Sequence, residues 1–171
     1  MPRVVVCGAG IAGISAAFHL TRLGVTDVVI ADPRPPLTLT SDKSTECYRN
    51  WWPNRPMVQL MNRSIELMEE YAAETPTRFG MNRRGYLYLT ASAAGLDRLA
   101  LGARSAVAAG SGDLRTHHGS DTYDPDAVSG ADLFVDGDAL RSHFPFIAPS
   151  VAGGLHARKA GWLSAQQLGR W

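Results

Sequence analysis

Three glycines close to the N-terminus, in the stretch CGAGIAG, restrict the fold of this chain more than any other feature. Gly8, Gly10 and Gly13 follow the pattern G-x-G-x-x-G, with a valine-rich run before them and a long apolar run after them. A second apolar run then ends at Asp32. The pattern alone is weak, but in this context it predicts a β-α-β unit of about thirty residues with two parallel strands.

The two strands of this unit are predicted at residues 3–7 and 25–31, with the helix between them. The valine-rich first run is typical of a strand buried on both faces, as in parallel sheets. Apolar residues recur at the helical period after Ile11, and Gly24 is a natural C-terminal stop. The order of the elements is the one that a parallel crossover requires.

Each part of this fingerprint has a physical role in holding a dinucleotide. Gly8 permits the tight turn, Gly10 lets a pyrophosphate approach the backbone, and Gly13 lets the helix pack close to the strand. The helix N-terminus offers N–H groups to the phosphates. Asp32 can accept hydrogen bonds from the ribose hydroxyls and would repel a 2′-phosphate, which disfavours NADP. The predicted cofactor-binding positions here are Gly8, Gly10, Ile11, Ala12, Gly13, Asp32 and Pro33.

Charge and composition exclude several classes of function. The net charge of +1 gives no electrostatic case for nucleic-acid binding. No apolar run has the length of a transmembrane segment. Cys7 and Cys47 form no C-x-x-C pair, and His117-His118 has no ligand partner at a usable spacing, so no metal site is predicted. We expect a cytoplasmic protein.

After the β-α-β unit, residues 34–56 are polar and show no periodicity, which predicts a long loop. The loop contains TSDKSTECYRNWWP, whose Trp51 and Trp52 we expect to anchor it to the core. An amphipathic helix is predicted at residues 57–74.

The second half of the chain alternates further strands and helices. RRGYLYLT, ADLFVD and GGLHAR are predicted strands, residues 91–109 are a predicted helix, and Asp136 or Asp138 can cap a short helix. Residues 110–130 are rich in Gly, Asp and Ser and predict a variable or disordered loop. SAQQ at residues 164–167 is a capping box that begins a last helix.

Four segments of the chain resemble the N-terminal part of the D-amino-acid oxidase/sarcosine oxidase superfamily of FAD-dependent oxidoreductases. They are the β-α-β unit, TSDKSTECYRNWWP, RRGYLYLT and GGLHARKAGWLSAQQL. The resemblance implies an α/β fold, in which a Rossmann-like FAD/NAD(P)-binding β-α-β is followed by the beginning of an α+β substrate domain. Residues 1–84 would be the FAD-binding segment, 85–157 the first part of the substrate domain, and 158–171 a return to the FAD domain. The sheet would be incomplete, because we expect the chain to be the N-terminal part of a longer protein.

By the same resemblance, the cofactor is FAD and the reaction is oxidation of the C–N bond of an amino acid or of a secondary or tertiary amine. Hydride passes to flavin N5, and the electrons then go to oxygen or another acceptor. Arg49 lies near a position where related proteins have an arginine that pairs with a substrate carboxylate, and a guanidinium matches a carboxylate with two parallel hydrogen bonds. The loop passes the pyrophosphate and flavin ring at Ser41, Lys43, Ser44 and Thr45.

Two other functions stay open at this point. FAD and NAD share the glycine fingerprint, so the chain could be an NAD-dependent dehydrogenase. The long loop after Asp32 argues against this, because a simple Rossmann domain moves quickly to its next helix. The other alternative is an inactive nucleotide-binding fragment.

Overall fold

A computed structural model describes residues 3–76 and 78–171 of the chain. The helices are α1 (Ile11–Arg22), α2 (Thr40–Lys43), α3 (Arg55–Glu74), α4 (Ala93–Ala108), α5 (Gly137–His143) and α6 (Ala165–Leu168), with a turn of 3-10 helix at Arg78–Gly80. The strands are β1 (Val4–Cys7), β2 (Val28–Ala31), β3 (Cys47–Arg49), β4 (Tyr86–Thr90), β5 (Leu114–His117), β6 (Ala131–Phe134), β7 (Gly153–Ala157) and β8 (Ala160–Trp162).

The chain forms two compact units. The first contains the described residues up to Cys47, together with those of Ala72–Met81 and Trp162–Trp171. The second contains Tyr48–Tyr71 and Asn82–Gly161. β3 pairs with β8, and each of these two strands has residues in both units.

The first unit contains the predicted β-α-β, which is confirmed. β1 and β2 are parallel, with Val4 opposite Val28 and Cys7 opposite Ala31, and α1 packs against both strands. The prediction that β1 is buried on both faces was wrong, because its side chains alternate and Val5 and Cys7 are exposed. This alternation is the pattern of a sheet that is covered on one face only.

The loop predicted at residues 34–56 contains two short elements, α2 and β3. Runs of three or four residues are too short to show a periodicity, so the sequence pattern could not reveal them. The loop is held at Leu37, whose side chain is 2% exposed and whose N–H donates to the Ala9 carbonyl over 2.9 Å. Cys47, at the start of β3, is exposed.

The second unit is built on a four-stranded sheet in the order β4-β7-β6-β5. β7 is antiparallel to β4 and β6, whereas β5 and β6 are parallel. One face packs Leu133 and Leu155 against α4 and Trp51, which confirms Trp51 as a core anchor. The other face packs Phe134 against Leu140 of α5.

Residues 110–130 are only in part the loop that their composition predicts. They contain β5, and its last residue, His117, is 2% exposed. The His117 ring bonds to Thr122 Oγ1 over 2.7 Å and to Asp132 Oδ1 over 2.8 Å. Polar side chains in this segment form hydrogen bonds with one another inside the fold. Composition alone cannot distinguish such buried polar side chains from polar side chains that are exposed to water.

A charged network lies around Asp132, whose side chain is fully buried in the second unit. Arg115 donates to both carboxylate oxygens, over 2.7 and 3.0 Å, and Arg158 Nε donates to Oδ2. Arg158 also donates to the carbonyls of Asp124 and Pro125. The network therefore ties the segment before β6 to the sheet.

His156 gives this unit a pH-dependent stability. It is buried, and the network assigns its Nε2–H as donor to the Arg84 carbonyl, over 3.0 Å, and its Nδ1 as acceptor from the Tyr123 hydroxyl, over 3.1 Å. Burial lowers the pKa of His156 below its ordinary value of 6.5. As the pH falls through 6.5 the unfolded chain therefore binds a proton that the folded chain excludes, and the free energy of unfolding decreases.

We expect this decrease to be smaller in His156→Gln than in the parent chain. Urea unfolding at several pH values between about 7 and about 5 measures this decrease. The slope of the free energy of unfolding against pH gives the difference in bound protons between the unfolded and the folded chain. His118→Gln is the matched control, because His118 is exposed. An equal slope in the parent and in His156→Gln would contradict the assignment.

No helix among the described residues combines the length and the apolar character needed to cross a membrane.

Candidate functional site

The glycine-rich turn between β1 and α1 has the geometry that its sequence predicts. Gly8 has φ +110°, a conformation that L side chains rarely adopt. A side-chain carbon at Gly13 would overlap the Gly8 carbonyl oxygen, so Gly13 is needed for the close packing of helix and strand. Both roles are internal to the protein.

Gly10 is different, because no contact or backbone angle among the described residues requires a glycine there. Its φ of −77° and ψ of 175° are open to any residue. A side-chain carbon added at Gly10 would have Ser41 Oγ at 3.6 Å, which is an ordinary contact. The space at Gly10, at the N-terminus of α1, therefore fits the close approach of a phosphate group to the backbone.

The loop after β2 brings Ser41 to the same turn. The Ile11 N–H, in the first turn of α1, donates to Ser41 Oγ over 3.0 Å. The N-cap residue, Gly10, has no side chain that could cap the helix, and the first turn contains no acidic residue. The positive end of the helix dipole is therefore not offset by a charge from its own first turn. The N-terminus of α1 is thus open to an anion, with a hydroxyl beside it.

Asp32 lies at the end of β2 and points to the glycine-rich turn. Its Oδ2 accepts from the Ala9 N–H over 3.0 Å, and its Oδ1 accepts from the Arg34 N–H over 2.9 Å. The hydrogen bond from Ala9, then that from Arg34, lowers the pKa of Asp32 below its usual value. The side chain is therefore an ionised acceptor at neutral pH, with lone pairs left for hydroxyl donors.

The remaining positions predicted to bind the cofactor are more peripheral. Pro33 and Ala12 are exposed, as are Lys43, Ser44 and Thr45, whereas Ile11 is half-buried. Ser44 Oγ accepts from the Glu46 N–H over 3.1 Å and so shapes the loop itself.

Helix α6 forms hydrogen bonds to the loop at residues 34–56. The sequence did not indicate this role. Ser164 Oγ accepts from the Gln167 N–H over 3.3 Å, which confirms the predicted cap. Gln166 donates to the Leu37 carbonyl and to Asp42 Oδ1, each over 3.0 Å. The Ala165 N–H donates to Glu46 Oε1 over 3.0 Å. A capping box predicts where a helix begins, but not what its outer residues bind.

Arg49 belongs to the second unit, where aromatic rings hold it. Its guanidinium carbon lies 4.2 Å from the centre of the Trp52 ring and 5.3 Å from that of Tyr86. The Trp52 indole N–H donates to the Arg49 carbonyl over 3.1 Å, which fixes this stack. Arg49 Nε is buried, and within the described part of the chain it has no hydrogen-bond partner.

In the described ranges, no group of three or more His, Cys, Asp or Glu side chains could hold a metal ion. His117 is instead committed to Thr122 and Asp132.

A parallel β-α-β, a glycine turn with positive φ at the start of its helix, and an ionised acid at the end of its second strand define a dinucleotide-binding protein. The chain belongs to the family of FAD dependent oxidoreductases, whose family model matches residues 3–171. Its cofactor is therefore FAD rather than NAD. The resemblance to the D-amino-acid oxidase superfamily is confirmed. Comparison with the curated proteins finds no match.

Solved structures share the fold. Glycine oxidase from Geobacillus kaustophilus has a TM-score of 0.77 at 18% identity, over 98% of this chain and 42% of that one. L-proline dehydrogenase from P. horikoshii has a TM-score of 0.75 at 17% identity, over 98% and 39%. L-amino acid deaminase from Proteus vulgaris has a TM-score of 0.66 at 17% identity, over 97% and 36%. The α/β fold class is thus confirmed, and the chain spans about two fifths of the length of these proteins.

Proposed function

We propose that the protein uses FAD to oxidise the C–N bond of an amino acid or of a secondary or tertiary amine. The observation that carries the cofactor part of this proposal is the space at Gly10, at the N-terminus of α1 and next to Ala9, whose N–H donates to Asp32. The family supplies the cofactor. The names of the similar structures, a glycine oxidase, a proline dehydrogenase and an amino acid deaminase, support an amino acid as substrate.

In this proposal the residues around the turn hold the adenosine diphosphate part of the cofactor. Gly10 and the N-terminus of α1 would receive the pyrophosphate, at the turn that Gly8 and Gly13 shape, and Asp32 would accept hydrogen bonds from the ribose hydroxyls. When bound, FAD would supply a hydride acceptor at its N5 atom and pass the electrons on to oxygen or another acceptor. The other residues proposed to contact the cofactor lie on the turn and the loop and are Ile11, Ala12, Pro33, Ser41, Lys43, Ser44 and Thr45.

In this proposal the substrate contacts residues 85–157 and also Arg49 from the earlier segment. Residues 85–157 would form the first part of a substrate domain, between an FAD-binding segment at 1–84 and a return segment at 158–171. Arg49 would pair with the substrate carboxylate. Its buried Nε, which lacks a partner among the described residues, supports this role, because a charged donor without an acceptor is costly to bury.

Gly10→Ala tests the proposed cofactor site. The added methyl has room in the protein, so we expect the free energy of unfolding to change by less than about 1 kcal/mol. The same methyl occupies the space of the pyrophosphate, so we expect FAD affinity to fall by about tenfold or more. Flavin absorbance retained after desalting, and the thermal shift with added FAD, measure the loss.

Gly102→Ala is the matched control, because a side-chain carbon there meets no atom within 4 Å in the described structure. Equal FAD binding by the Gly10→Ala and parent chains would contradict the site. Melting curves with FAD, NAD and ADP that all lack a shift would favour an inactive nucleotide-binding fragment instead.

A further inference from the structure

Trp52, in the bend that follows β3, contacts Arg49 in two ways. Its ring centre lies 4.2 Å from the Arg49 guanidinium carbon, and the Tyr86 ring lies 5.3 Å from the same carbon. Its indole N–H donates to the Arg49 carbonyl over 3.1 Å. Trp52 therefore holds both the charged end and the backbone of Arg49. Trp51, in contrast, is buried in the core of the second unit.

Ser111 in turn holds the backbone of this bend. It lies just beyond α4, is 2% exposed, and its N–H donates to the Ala106 carbonyl over 3.0 Å. Its hydroxyl donates to the Asn50 carbonyl over 3.1 Å and accepts from the Trp52 N–H over 3.5 Å. The Asn50 side-chain amide donates back to the Ser111 carbonyl over 3.2 Å. The chain on both sides of Trp51 is thus tied to the end of α4.

The aromatic rings are what orders the Arg49 side chain. Within the described part of the chain, this side chain makes no ion pair and donates no hydrogen bond. A free arginine has many rotamers, and it loses that freedom when it binds a ligand. A guanidinium that is already held in one orientation loses less freedom on binding, so its ligand binds more tightly.

We infer that Trp52 is a positioning residue for Arg49, and that Ser111 keeps Trp52 in place. Trp52 acts through the orientation of the guanidinium and has no contact of its own with the reacting atoms. This rests on the proposed function in one respect only: the group that the oriented guanidinium receives would be the substrate carboxylate.

The order of the Arg49 side chain tests this inference without substrate or flavin. In the ¹⁵N-labelled chain, the ¹H–¹⁵N nuclear Overhauser effect at Nε reports picosecond-to-nanosecond motion, and Arg49→Lys identifies the signal. We expect a rigid Nε in the parent chain and a mobile one in Trp52→Leu. Exchange of the Nε–H with water should become about fivefold faster or more, since a cation–π contact is lost. An Arg49 side chain that is as ordered in Trp52→Leu as in the parent would overturn the inference.

Trp52→Phe separates the two contacts, because it keeps an aromatic ring but removes the indole N–H. We expect the order of Arg49 in this variant to lie between those of the parent chain and Trp52→Leu. Trp162→Leu is the matched control, since Trp162 is an exposed tryptophan of the first unit. A loss of order in Trp162→Leu as large as in Trp52→Leu would show a general effect of removing a tryptophan and contradict the inference.

Ser111→Ala tests the support behind Trp52. We expect Arg49 to lose order in this variant although Trp52 is still present, because the hydroxyl that joins Asn50 to Trp52 is gone. Ser105→Ala is the matched control, since it removes an exposed hydroxyl of α4 that donates to the Leu101 carbonyl. Equal order in Ser111→Ala and the parent, or an equal loss in Ser105→Ala, would contradict the role of Ser111.

Acetate separates this inference from the proposed function. If Arg49 receives a carboxylate, acetate should shift its Nε–H signal saturably, whereas chloride at the same ionic strength should not. In Trp52→Leu we expect acetate to bind about three- to tenfold more weakly, because the freed side chain must be ordered on binding. Equal acetate affinity in the two chains would contradict positioning by Trp52.

The two proposals can therefore fail separately. An Arg49 signal that ignores acetate in the parent chain, but loses its order in Trp52→Leu, contradicts the substrate contact and supports positioning by Trp52. An Arg49 signal that responds to acetate but keeps its order in Trp52→Leu has the opposite meaning.

Discussion

Asp132→Asn is expected to lower the free energy of unfolding by about 3–5 kcal/mol, because it leaves buried arginine charge without its partner. In the parent chain Oδ1 accepts from Arg115 and His117, and Oδ2 accepts from Arg115 and Arg158. In Asp132→Asn an NH₂ group would replace one of these oxygens. It would face N–H donors of the same side chains, so it could not accept their hydrogen bonds. Urea unfolding at neutral pH measures the loss.

The pH dependence of the same side chain gives a second measurement. Burial alone would raise the pKa of Asp132, but hydrogen bonds from Arg115, His117 and Arg158 outweigh it and lower the pKa to about 2. The carboxylate therefore stabilises the fold fully above its ordinary pKa of 3.8, and this contribution is lost as the pH falls from there through about 2. Asp132→Asn should lack this part of the acid transition.

Asp138→Asn is the matched control, since the Asp138 side chain is 89% exposed and pairs with Arg141 at the surface. Surface pairs contribute about 0–1 kcal/mol, so the control should stay close to the parent chain. If the two substitutions cost the same, the buried network does not hold β5, β6 and β7 together as described.

Gly13→Val is expected to cost both stability and cofactor binding. The new side chain would overlap the Gly8 carbonyl oxygen and lie 3.4 Å from Val6 Cγ1, so α1 must move away from β1. Overpacking of this kind costs about 1–3 kcal/mol, and the displaced helix end no longer faces the phosphates. Thermal melts without and with FAD separate the two losses.

The comparison with Gly10→Ala distinguishes structure from ligand. Gly13→Val should lower the melting temperature without FAD, whereas Gly10→Ala should lower only the shift that FAD produces. A Gly13→Val chain as stable as its parent would show that helix and strand are not as close as described. We expect the two variants to differ, because a side-chain carbon at Gly13 would overlap the Gly8 carbonyl oxygen, whereas one at Gly10 would make only an ordinary contact.

The β-α-β unit and its glycine turn could be predicted because the interactions that specify them are close in sequence. The positive φ of Gly8, the helical period after Ile11 and the capping hydroxyl of Ser164 each depend on a few neighbouring residues. Local patterns of this kind also placed α3, α4 and three of the four strands of the main sheet, β4, β6 and β7, with boundaries within a few residues.

The sequence by itself thus determined the β-α-β unit with its glycine turn, the acid at the end of the second strand and, through family resemblance, the cofactor. Only the tertiary structure decided that residues 110–130 contain a strand that ends at the buried His117, and that the side chains of Arg115, His117 and Arg158 meet at Asp132. It also decided that the Arg49 guanidinium lies over the rings of Trp52 and Tyr86. The physical reason is strand register and packing: the members of the Asp132 network come from β5, β6 and the end of β7, up to 43 residues apart (158 minus 115), and no local pattern records which side chains face one another.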